Sequence, residues 1–158
     1  MVDSRQKGRT AEMNAKKELI KLTGLNWERT PMSGALSAVH KLKGDLYVPD
    51  AITKYCVEVK HYKDDHLTSK ILTSKTPQIK TWWEQTVRES LEIDKEPLLI
   101  FKFDRSKWFA AFGDWELTLL LEGNNDKFIT LHNIGPEPYH IVYVCTLTAF
   151  CEIEDFTE

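Results

Sequence analysis

Asp45, Glu58 and Lys60 stand within KGDLYVPDAITKYCVEVKHYK, residues 43–63, a stretch otherwise patterned as two short strands around a turn. If those strands pair as a hairpin around residues 50–53, opposed positions sum to about 103, and Asp45 faces Glu58 with their Cβ atoms roughly 4.5–5.5 Å apart. Alternation then places Asp45, Tyr47, Cys56, Glu58 and Lys60 on one face, and Leu46, Val48, Val57 and Val59 on the other. The apolar face can cover a helix. The polar face carries two carboxylates and an amine.

Like charges directly opposed weaken a ladder. A hard divalent cation removes the conflict, because Mg²⁺ takes one or two carboxylate oxygens and fills its remaining positions with water. Water on such an ion gives up a proton more readily, and Lys60 reaches the same pocket to orient it or to offset charge on a phosphate. The plainer alternative is that Lys60 simply neutralises the two acids on an exposed face. The matched position of Asp45, and Glu12 on the edge of an N-terminal helix, favour the metal. Asp50 lies five residues past Asp45, about 16 Å at strand rise. It is better suited to the turn after Pro49.

The surrounding elements follow from periodicity and breakers. Residues 8–23 predict a helix ending at Gly24, with Ala11, Ala15, Leu19 and Leu22 on a narrow apolar face. Arg5, Arg9 and Lys16 form a neighbouring basic stripe. Residues 25–30 could form a short strand, 31–43 a loop, 45–49 and 55–61 the hairpin, and 61–75 an irregular polar segment. Thr76 and Pro77 fit N-cap and N1 of a helix whose buried stripe is Ile79, Trp82, Trp83, Val87 and Leu91. Strands at 97–103 and 108–112, a short helix in DWELTLLL, and a final strand and helix complete the order. The expectation is an α/β fold, a mixed β-sheet flanked by helices.

At 158 residues and 42% apolar content the chain suits one domain with a core. It contains no apolar run of the ~20 residues that cross a bilayer, and MVDSRQKGR lacks the apolar centre of a signal peptide. Three cysteines without a CxxC pair argue against a disulfide framework or a zinc site and for a reducing cytoplasm. The net charge of -3 conceals a split: residues 1–82 hold 15 basic and 9 acidic side chains, residues 83–158 hold 6 and 15. A basic first half suggests a polyanionic partner.

Asp45, a strand-turn-strand and Glu58-Val59-Lys60 together resemble the core of the PD-(D/E)XK nuclease superfamily. More specifically, the chain resembles the archaeal-type Holliday-junction resolvases, which also occur in phages. Residues 5–112 carry the likeness. KGRTAE at 7–12 matches a Lys-Gly and a helix-borne Glu, Arg29 with Ser33-Gly34 resembles the segment before the hairpin, and the helix and strands to 112 follow in family order. The resemblance implies a restriction-endonuclease-like single domain over 1–158, with a core at about 5–112 and residues 113–158 as an extension packed on it.

It further implies a Mg²⁺-dependent endonuclease, with Mn²⁺ able to substitute, that acts in DNA recombination and repair. As a homodimer it would bind a four-way junction and nick two opposed strands, in the cytoplasm of a host cell if phage-encoded, with no membrane involved. Glu12, Asp45, Glu58, Lys60 and Ser33 become the expected catalytic residues. Asp45, Glu58 and the Val59 carbonyl would hold one metal, with Glu12 at a second metal or at a bound water. Arg5, Lys7, Arg9, Arg29, Lys41, Lys43 and Lys63 are candidates for phosphate contacts, which position DNA without reading sequence. Three other readings stand beside this one: a related endonuclease acting on branched or duplex DNA, a non-catalytic DNA-binding module, and a structural domain with a surface ion-pair cluster. Gln78 with Trp82 is better explained by the core stripe than by a site, and the histidines at 40, 61, 66, 132 and 140 show no metal-ligand spacing. Alternation turns His61 away from the acids.

Overall fold

The computed structural model describes residues 4–31 and 42–158. In chain order these form α1 (Ser4–Thr23), β1 (Glu28–Arg29), β2 (Leu46–Tyr47), β3 (Tyr55–Tyr62), α2 (Lys70–Thr73), α3 (Gln78–Glu92), β4 (Glu96–Phe103), β5 (Phe109–Phe112), α4 (Glu116–Gly123), β6 (Ile129–Leu131), β7 (Val142–Thr146) and α5 (Leu147–Ile153). The strands make one seven-stranded sheet in the order β1-β2-β3-β4-β5-β7-β6. Only β3 and β4 pair in parallel; every other neighbour is antiparallel. The expected α/β class, a mixed sheet flanked by helices, is the observed one.

The parallel pair requires a crossover, and α3 provides it. Ile79, Trp82, Trp83 and Val87 press one face of the sheet at Leu99, Phe101, Phe103 and Ala111. On the opposite face, α1, α4 and α5 bring Ala11, Ala15, Leu19, Leu117, Leu121 and Phe150 against Leu46, Val57, Val59, Leu98, Ile100 and Phe112. Residues beyond 112 thus add two strands to the same sheet and two helices to this second layer.

Sequence and structure part company in several places. Helix α1 begins at Ser4 rather than residue 8, and its end matches expectation: Gly24 has φ +74° and donates to the Ile20 carbonyl at 2.9 Å. Helix α3 starts one residue late. Pro77 is its N-cap with an extended ψ of 148°, so Thr76 lies outside the cap. Leu91 does not continue the buried stripe; it is 55% exposed. Thr86 and Ser90 are buried instead, because their hydroxyls donate to the Trp82 and Val87 carbonyls, each at 2.8 Å.

Pro49 confines β2 to Leu46–Tyr47, shorter than the anticipated 45–49, and β1 to its outside is equally short. The polar segment 61–75 contains the turn of helix α2, and β6 was not anticipated at all. Among the described residues no helix is long and apolar enough to cross a membrane.

Candidate active site

The site begins with a glycine. Gly44 holds φ +81°, and a Cβ there would lie 2.6 Å from the Val57 carbonyl oxygen and 3.1 Å from Cys56 Sγ. That close approach lets the next residue dock on β3: the Asp45 N–H donates to the Val57 carbonyl at 2.7 Å, and Leu46 pairs with Val57. The register is the one that faces Asp45 toward Glu58.

Because β2 is short, β3 beyond Val57 has no strand on this edge among the described residues. The Asp45 side chain substitutes for one, its Oδ2 accepting from the Val59 N–H at 2.8 Å. The N–H and C=O of one strand residue point to the same edge. The Val59 carbonyl is therefore directed to the edge that Asp45 occupies.

Glu58, one residue earlier, points to the α3 face and is only 3% exposed. Gln85 of α3 donates to Glu58 Oε2 at 3.3 Å. One turn further along, the Glu89 carboxyl also lies within hydrogen-bonding reach of Glu58. Glu89 Oε2 is buried and has no hydrogen-bond partner among the described residues.

The electrostatics follow from this crowding. Burial, then the hydrogen bond to Glu89 and the charges of Asp45 and Glu89, push the Glu58 carboxyl up to about 11, against a lowering by Lys60. Burial also lifts Asp45, from 3.8 to about 6; Glu12 raises it further, while the Val59 N–H, Glu58 and Lys60 pull it down. Lys60 makes no ion pair within 4 Å with either acid among the described residues, so the plain salt-bridge alternative does not hold.

Two nearly buried carboxyls with raised pKa values and a carbonyl on the same edge form an all-oxygen set short of positive charge. That donor chemistry suits a hard cation such as Mg²⁺, which keeps several waters. A cage of three acids is not formed: no group of three or more His, Cys, Asp or Glu converges on one position among the described residues. Glu12 faces the same cleft, but Arg29 Nε holds its carboxylate at 2.7 Å.

A family model described as "Phage putative PDDEXK endonuclease" matches residues 3–157. The chain belongs to this family. Protein D14 of Escherichia phage T5 is 45% identical over 113 residues, which cover 70% of this chain and 71% of that protein. No solved structure matches the chain. A PDDEXK endonuclease is a nuclease whose substrate is DNA, and nucleases of this superfamily use divalent metals. When bound, such an ion supplies an activated water and stabilises charge on a phosphate.

In this endonuclease, a cleft of about 530 Å³ gathers Lys7, Glu12, Asp45, Glu58, Val59, Lys60 and Lys63, among others. Arg5 and Arg9 instead line a separate pocket on another face of α1, with Asn14 and Lys17. Arg29 is paired with Glu12, and Lys43 with Glu92 at 3.2 Å in an exposed pair. Ser33 and Lys41 lie outside the described residues, as does His40. Asp50 accepts from the Asn26 side chain at 3.1 Å, away from the acids. His61 pairs with Asp104 at 2.9 Å and meets the edge of Trp108. Trp82 is 2% exposed in an aromatic cluster with Tyr62, Phe101 and Phe103.

Gln85 and Glu89 were missed from the sequence. A signal was present: Gln85, Glu89 and Glu92 follow one another at i, i+4 and i+7, a polar line beside the apolar stripe of α3. All three reach the hairpin, at Glu58, Glu58 and Lys43.

Proposed function

We propose that the chain resolves four-way DNA junctions, as a homodimer that uses Mg²⁺, with Mn²⁺ as a substitute, to make paired symmetric nicks in the cytoplasm of a host cell. The observation that carries the chemistry is that Asp45, Glu58 and Val59 line one cleft, with Asp45 docked on the Val59 N–H. On this reading Asp45, Glu58 and Val59 hold the ion. Lys60 orients the attacking water, and Glu12 receives a second ion or a bound water once DNA draws Arg29 away. Ser33 joins the site from the loop before the hairpin.

The junction assignment is supported by the resemblance in residues 5–112 and by the basic first half of the chain. Lys7 and Lys63 flank the acids, while Arg5 and Arg9 extend positive charge along α1. Arg29, Lys41 and Lys43 complete the proposed phosphate contacts. A C2 dimer matches the approximate two-fold symmetry of a junction and brings two sites to opposed strands.

The test is cleavage of a labelled immobile four-way junction beside a linear duplex and a single strand, in Mg²⁺, with Asp45→Asn and Asp50→Asn variants. Paired nicks on the junction, lost at Asp45 and kept at Asp50, are the expected result. Equal cutting of the linear duplex would leave an endonuclease of different substrate. Junction binding without cleavage in Mg²⁺ or Mn²⁺ would make the chain a binding module.

A further inference from the structure

Glu58 presents two oxygens, and the residues behind it decide how they face the cleft. Helix α3 supplies both neighbours on that side. Gln85 is half-buried, lines the cleft, and spends a side-chain N–H on Glu58 Oε2 at 3.3 Å. Glu89, one turn along, meets the same carboxyl, and its buried Oε2 has no hydrogen-bond partner among the described residues. An acid cannot donate to Glu58 without a proton, and two ionised carboxylates repel. The amide of Gln85 is neutral and donates in every protonation state.

We infer that Gln85 is a positioning residue for metal binding: its amide holds Glu58 Oε2 and so fixes the carboxylate toward the cleft where the ion would sit. The inference rests on the metal-dependent reading above. It deepens that reading by naming a residue outside the ligand set. Partners that hold a metal ligand from behind orient it and set its basicity, and their removal typically weakens the ion about 10- to 100-fold.

The arrangement also explains why a glutamine rather than an acid or a lysine stands at 85. A third acid would add to the repulsion already raised by Glu89. A lysine would neutralise Glu58 and compete with the cation. Only a neutral donor holds the carboxylate while leaving its charge for the ion.

Calorimetric titration with Mn²⁺, without DNA, tests this. Gln85→Met, which keeps shape and loses the donor, is expected to weaken Mn²⁺ about 10- to 100-fold. Gln85→Asn keeps the amide but shortens it by a methylene, and must weaken the ion as well. In Gln85→Met/Glu89→Gln the new amide, one turn away on the same helix, supplies a donor to Glu58 and recovers affinity to within about threefold of the parent.

Nicking provides a second readout: the Mn²⁺ concentration for half-maximal rate rises, while the rate at saturating Mn²⁺ returns near the parent's. Unchanged affinity in both single variants would overturn the inference and leave the nuclease standing. So would a lost rate that saturating metal does not restore, since Gln85 would then be structural. A parent that binds no Mn²⁺ would overturn the inference together with the metal-dependent reading.

Discussion

Asp45 offers a measurement of how much the ungathered charge costs the fold. Its pKa rises from 3.8 to about 6 on folding, chiefly through burial. Below pH ~4 it is protonated in both states and imposes no penalty. Between pH ~4 and ~6 the unfolded chain ionises first, so the folded state loses relative stability as pH rises. Above pH ~6 the full penalty stands. About two units at ~1.4 kcal/mol each give about 3 kcal/mol.

In Asp45→Asn this penalty is absent, while an amide oxygen can still accept from the Val59 N–H. Metal-free Asp45→Asn is therefore expected to be more stable than the parent at pH 7.5. For a chain of this size the difference in melting temperature is about 6–12 °C. Thermal unfolding in chelator, followed by circular dichroism from pH 4 to 8, reads both proteins. The two melting curves should converge near pH 4 and separate through pH 6. Mg²⁺ should then stabilise the parent and barely move the variant. A difference that is absent at pH 7.5, or that persists unchanged at pH 4, would refute the burial argument.

Further outcomes follow from the same geometry. Since Glu58 keeps its proton near neutral pH without metal, ion binding there displaces about one proton. Mn²⁺ affinity should rise up to about tenfold per pH unit between 6 and 8, and calorimetry in buffers of different ionisation enthalpy should count the proton. Gly44→Ala places a Cβ against the Val57 carbonyl at positive φ. It should cost about 1–3 kcal/mol in denaturant melts and suppress nicking by displacing Asp45. Lys60→Met removes a charge that lowers both acids. Its metal-free stability difference from the parent should grow toward alkaline pH, and its nicking rate should fall more than about 100-fold, by analogy with the loss of acid–base groups.

The hairpin was legible because two kinds of information agreed. Leu46, Val48, Val57 and Val59 needed one buried face, and that demand alone fixed the side on which Asp45 and Glu58 could lie. Gly24, the tryptophans of α3 and the apolar run of β4 were equally plain. Leu91 misleads because its apolar side chain fits the helical stripe, whereas Ser90 satisfies its hydroxyl within the helix and can be buried. Strand β6 offers only ITL, half exposed at a sheet edge, with no alternation long enough to detect. Gln85 and the pairing of Glu12 with Arg29 depend on how α3 and α1 sit against the hairpin, which local pattern does not contain.

The shortness of β2 has a consequence for solubility. A strand that outruns its neighbour exposes a backbone donor that can recruit a strand from another molecule. In β3 the donor at Val59 is already taken by the Asp45 side chain. The carboxylate proposed to hold the ion thus also occupies a backbone donor that another strand could otherwise pair with. Loss of Asp45 to alanine would open that edge and invite aggregation, whereas asparagine would keep it shut. An inactive form suited to trapping DNA should therefore carry the amide.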